Sequence, residues 1–130
     1  MGIRVDKKRY NMTENNTNKY DLEERTYKFA KRVIGFTNQV KKSIPNTEVI
    51  KQVVRASGSV GANYIEANEA LSKKDFAMRI KICRKESKES VYWLKLVDIS
   101  EDGIDKERQV LVNEATELMK IFGAIVEKTK

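Results

Sequence analysis

Residues 76–97 read FAMRIKICRKESKESVYWLKLV. Phe76, Ile80, Cys83, Ser87, Ser90, Leu94 and Val97 recur in this stretch at alternating steps of four and three. Such steps keep side chains on one stripe of an α-helix, and their sustained alternation is the seam of a coiled-coil-like bundle. Three other segments repeat the pattern. They are Leu22, Thr26, Phe29, Val33, Phe36, Val40, then Val49, Val53, Ala56, Val60, Asn63, Ala67, and last Leu111, Ala115, Leu118, Phe122, Ile125. The connections between segments are short, which forces neighbouring helices to be antiparallel. The seams therefore predict an all-α fold, an antiparallel up-down-up-down four-helix bundle.

Helix boundaries follow from local signals. Residues 1–20 contain Asn11, Asn15, Asn16 and Asn18, lack a helical period, and read as a mobile tail ahead of a bundle domain over 21–130. Asp21 is a candidate cap for the first helix. Lys41 and Lys42 then fall in its last turn, and Pro45 ends it because the residue before proline is pushed out of the helical region. Asn46 or Thr47 is expected to cap a second helix running to about residue 70. Ser72 with Asp75 forms a near capping box for a third, which runs to about residue 99, and Asp105 is expected to cap the fourth.

At 130 residues the chain has room for one domain, and 40% hydrophobic with 35% charged residues suits helices with one wet face. No apolar run approaches the ~20 residues of a membrane span, and without an apolar h-region near the N-terminus no secretion signal is expected. Cys83 is the sole cysteine and sits on a seam, so it reads as a small buried hydrophobe in a reducing compartment, with the cytoplasm as the expected location. The formal charge is +7, which permits contact with nucleic acid without deciding it.

The second segment breaks a local rule, since Ser57, Gly58, Ser59, Gly61 and Ala62 crowd its middle. A glycine in a helix interior costs about 1 kcal/mol relative to alanine. Either tight packing inside one bundle offsets this, or the helix is packed on two sides. A second stripe supports the latter and is the expected oligomer interface: Ile50, Val54, Ser57, Gly61 and Tyr64 or Ile65.

Asn63, Glu66, Glu86 and Glu89 lie on or beside seams, as do Ser87 and Ser90. Buried polar groups must be satisfied, so a structural polar cluster is expected there, with Arg55 and Arg84 as counter-charges. A carboxylate pair in acid–base or metal chemistry is the weaker reading. The chain has no histidine, no Walker lysine motif and no GxGxxG, so no catalytic residue, metal site or cofactor is assigned. Lys74, Lys81, Lys88 and Lys95 are spaced by sevens and share a stripe. They form either a solvated helix face or a phosphate-binding track of Lys74, Lys81, Arg84, Lys85 and Lys88. Tyr92 and Trp93 near its end read as packing residues.

The run RASGSVGANYIEA (55–67) resembles the second helix of the four-helix bundle family first met as proteins encoded in intervening sequences of 23S ribosomal RNA genes. SKKDFAMRIKICRKESKESVYWLKLV (72–97) and DLEERTYKFAKRV (21–33) resemble the same family. The most specific matches are Gly61-Ala62-Asn63, Glu66, Lys85-Glu86 and Tyr92-Trp93-Leu94. The resemblance implies a bundle that assembles into a ring, commonly a pentamer, and carries no catalytic expectation. A more distant similarity to the accessory bundle protein of diversity-generating retroelements implies contact with nucleic acid. The resulting expectation is a non-catalytic, homo-oligomeric bundle that binds nucleic acid, structured RNA first and DNA second, through basic helix faces. The alternative is a scaffold that recruits a partner polypeptide, and an unrecognised enzyme comes third.

Overall fold

In the computed structural model, which describes the backbone of residues 17–130 and side chains from Leu22 onward, four helices follow one another: α1 (Thr17–Thr37), α2 (Ile44–Asn68), α3 (Lys73–Leu96) and α4 (Asp102–Lys128). Each packs on its neighbours in the chain, and α4 returns to α1 to close the square. The seam positions face inward. Leu22, Phe29, Val33 and Phe36 of α1 meet Val53, Val60 and Ala67 of α2, Phe76, Ile80 and Leu94 of α3, and Leu111, Leu118 and Phe122 of α4 in one buried core. Val49 and Ile125 are only half-buried, and Val126 takes the buried place at the end of α4.

The helix ends differ from the sequence-based expectation in instructive ways. α1 already runs from Thr17, so Asp21 lies inside the helix, and the rest of the expected tail lies outside the described residues. α1 stops at Thr37, which leaves Lys41 and Lys42 in the loop. Pro45 belongs to the first turn of α2, where its missing N–H costs nothing. Ser43 caps that helix, its hydroxyl accepting from the Asn46 N–H at 3.1 Å. Asn46 itself is buried and clamps two loops. Its amide donates to the carbonyls of Lys41 and Asp98, both at 3.0 Å, and accepts from the Asp98 N–H at 2.9 Å. Ser72 caps α3 as the sequence suggests, accepting from the Asp75 N–H at 3.0 Å. The fourth helix starts at Asp102, and Asp105 instead holds Arg108 at 2.7 Å. Arg108 in turn donates to the carbonyls of Leu94, Lys95 and Val97 at the open end of α3.

Small side chains let helices approach one another. A Cβ on Gly61 would stand 2.8 Å from Thr26 Oγ1 and 3.2 Å from Thr26 Cβ, so α1 crosses α2 over this glycine. Thr26 has no freedom to yield, because it is buried and its hydroxyl donates to the Leu22 carbonyl at 2.7 Å. Ser57 is buried against the bundle, and Tyr64 is 6% exposed with its ring 5.8 Å from that of Phe122. Three of the five expected interface residues, Ser57, Gly61 and Tyr64, are thus taken up by the chain's own interior. Ile50 and Val54 are half-buried, and the outer side of α2 carries Gly58, Ala62 and Ile65.

The α1–α4 seam is the loosest, and two charged forks bridge it. Arg25 reaches Glu114 with contacts of 2.7 and 3.0 Å, and Arg32 reaches Glu107 with 2.6 and 2.9 Å. The arginines are seven residues apart on one helix and the glutamates seven apart on the other, so the antiparallel register repeats. The Arg32 fork holds the Glu107 carboxyl below its ordinary value of 4.5.

Two outcomes are expected. Gly61→Ala gains about 1 kcal/mol of helix propensity but loses more to overpacking, about 1–3 kcal/mol. It should lower the denaturation midpoint, and Thr26→Ala in the same chain should restore part of the loss; a stabilised Gly61→Ala chain contradicts the crossing. Glu107 has a depressed folded pKa, so its contribution is present above the ordinary carboxylate value and lost as pH falls through the folded one. Wild type should therefore lose more stability than Arg32→Ala/Glu107→Ala between about pH 6 and about pH 3, by at most about 1 kcal/mol because the pair is half in water. Equal losses in the two proteins contradict the pairing.

Candidate nucleic-acid interface

Because the seam of α3 is buried, the residues opposite it must face water. They are Lys74, Met78, Lys81, Lys85, Lys88, Tyr92 and Lys95, again at steps of four and three, and all seven are exposed. The stripe spans about 31 Å at 1.5 Å per residue and contains no acidic residue. Among the described residues, none of its five lysines pairs with a carboxylate.

The two glutamates of α3 are held elsewhere, whereas Asp75 lies exposed beside Lys74 in its first turn. Arg55 of α2 reaches Glu86 at 3.3 Å and Glu89 at 2.9 Å, so both carboxylates are neutralised on the flank facing α2. Arg84, expected to be their counter-charge and a phosphate contact, lies on the opposite flank. Its stem runs over Gly123 of α4, 3.9 Å from the place a Cβ would take there. Lys74, Lys81, Lys85 and Lys88 come together on the ridge, with Arg84 at its edge.

The expected single polar cluster is divided. Glu86 and Glu89 belong to the Arg55 clamp. Asn63, half-buried, accepts from Arg79 at 2.9 Å and donates to the Ser59 carbonyl at 2.9 Å. Glu66 is exposed on the rim of a groove that also includes Leu71, Met78, Arg79 and Ile82. Ser87 and Ser90 join neither group, since each donates to the carbonyl four residues back, of Cys83 and Glu86, at 2.8 Å. Sequence reasoning missed Arg79 as the partner of Asn63, although the two lie on facing helices beside their seams. It also missed the α1–α4 forks, whose heptad-spaced arginines and glutamates were a readable signal.

The site offers electrostatics and little else chemically. Burial pushes the Cys83 thiol up to about 12, which leaves almost no thiolate at neutral pH. Among the described residues no group of three histidine, cysteine, aspartate or glutamate side chains could hold a metal ion, and no helix is long and apolar enough to cross a membrane.

No curated protein matches the chain. Among solved structures, the chain is similar to a protein of unknown function from the S23 ribosomal protein family of Bacteroides thetaiotaomicron. The two share 28% identity with a TM-score of 0.68, over 80% of this chain and 96% of that one. The profile of 23S rRNA-intervening sequence proteins matches residues 18–124. With four helices in the expected order and this match over most of its length, the chain belongs to the 23S rRNA-intervening sequence protein family.

Proposed function

We propose that this protein is a non-catalytic, cytoplasmic nucleic-acid-binding bundle that holds the phosphate backbone of RNA along the α3 ridge. The observation that carries the reading is the uncompensated ridge itself. A merely solvated helix face usually interleaves both signs. Here five lysines share about 31 Å of helix, and the two glutamates of that helix are diverted to Arg55, with Asp75 standing beside Lys74 at one end of the ridge. Lysine contacts to phosphate give affinity with little sequence readout.

Self-association fits the same reading. The outer side of α2 carries Ile50, Val54, Gly58, Ala62 and Ile65, and Ile65 is 51% exposed. A Cβ on Gly58 would meet nothing within 4 Å, so the chain alone gives this glycine no packing role. A second copy lying against it would supply one, and in a pentameric ring the ridges would form a continuous positive belt. The second reading, a scaffold for a partner polypeptide, is favoured by one feature: the groove at the α2–α3 turn, where Leu71 is 95% exposed beside Met78.

Binding of a mixed-sequence RNA oligonucleotide should fall with a log–log salt slope of about −4, as about five phosphate contacts require. Lys81→Glu/Lys88→Glu should lower affinity by about 100-fold or more at moderate salt with helical content unchanged. Undiminished affinity in that variant overturns the ridge. For assembly, the chain should sediment well above its own 15.0 kDa. Gly58→Ala should shift it toward monomer, and should stabilise that monomer by about 1 kcal/mol. A wild-type monomer at micromolar concentration overturns the ring.

A further inference from the structure

Tyr92 stands inside the cationic stripe rather than at its border. It follows Lys88 by one turn and precedes Lys95 by three residues, so all three share the outward face of α3. Its side chain is 59% exposed. That is a poor use of a large aromatic ring in a packing role. The ring is nonetheless held in place: it lies near-perpendicular to Trp93, at 78°, with centroids 5.0 Å apart. Trp93 is half-buried and packs on the core, which makes it a fixed support for its neighbour. The stripe therefore presents a braced, water-facing ring between two unpaired ammonium groups. The packing role that the sequence suggested for Tyr92 is thus met on one side by Trp93, and the rest of the ring faces water.

Such a group has a specific chemical use. The bases of a continuous duplex are stacked inside it and offer no free face to a protein surface. An unpaired strand exposes its bases, and an aromatic ring beside a cationic track can stack one of them while the flanking phosphates are held by lysine. We infer that the α3 ridge is a site for single-stranded nucleic acid, with Lys88 and Lys95 gripping the backbone on either side of a base stacked on Tyr92. The inference rests on the ridge reading above and narrows it from polyanions in general to strands with unpaired bases.

The experiment compares a 20-nucleotide mixed-sequence RNA strand, the DNA strand of the same sequence, and the blunt DNA duplex, all at one salt concentration. Wild type should bind one or both single strands about tenfold or more tighter than the duplex, and whichever strand it favours names the source of the ligand. Tyr92→Ala should lose about tenfold on the single strands and less than about twofold on the duplex, while Tyr92→Phe keeps the wild-type affinity. Trp93 is the only tryptophan. Its emission should therefore change when an oligothymidine strand is added, a readout that needs no substitution. Equal affinity for strand and duplex, together with an unaffected Tyr92→Ala, would overturn the stacking site while leaving the ridge intact. Insensitivity of Lys81→Glu/Lys88→Glu would overturn the ridge and the stacking site together.

Discussion

The buried serine and threonine hydroxyls of this bundle turn back on their own helices, and the tight packing around them rests on that arrangement. Thr26, Ser87 and Ser90 are all but inaccessible, and each donates to the carbonyl four residues earlier. An unsatisfied hydroxyl at such a depth would cost about 1–3 kcal/mol. Because the need is met locally, the facing helices present surfaces without polar demands. α2 can then lie close to α3 near the buried Val60, and Cys83 even reaches the Val60 carbonyl with its thiol at 3.4 Å. A leucine at Ser87 or Ser90 would satisfy the same seam pattern but would push the helices apart.

Close packing of α3 sorts the charges of the molecule. The helix has one buried stripe, so its opposite face is dictated, and its flanks meet α2 and α4. Glutamates fall on the α2 flank within reach of Arg55, and Arg84 leans over Gly123 on the other. What remains for the outward face is lysine, Met78 and Tyr92. The ridge is therefore a product of two separate facts: a seam that aims the lysines outward, and an arginine on the next helix that removes the compensating negative charge.

Much of this was legible in the chain, and the misreadings have identifiable causes. The seams could be read because a core needs many apolar residues in one phase, and Leu22, Val60, Ile80 and Phe122 all sit where that phase puts them. Helix ends depend on single hydrogen bonds, and there the signals compete. Pro45 reads equally as the end of one helix or the start of the next, and Asn46 as a cap or as the loop clamp it is. Ser57, Gly61 and Tyr64 resembled a second face because helix phase alone does not say which of two neighbours lies against a residue. Gly61 serves the crossing with Thr26, a contact between residues 35 apart in the chain. The division of the polar cluster between Arg55 and Arg79 turned on long, flexible side chains whose reach no spacing rule specifies.

The Asn46 amide has a mechanical corollary. It fastens the α1–α2 loop to the α3–α4 loop, so the two chain reversals at that pole of the bundle are tethered to each other. At the far pole, Asn68 holds Glu23 at 2.7 Å and keeps α1 beside α2. α1 is thus tied to the rest of the bundle at both poles by asparagine amides, and along its length to α4 by the two arginine–glutamate forks.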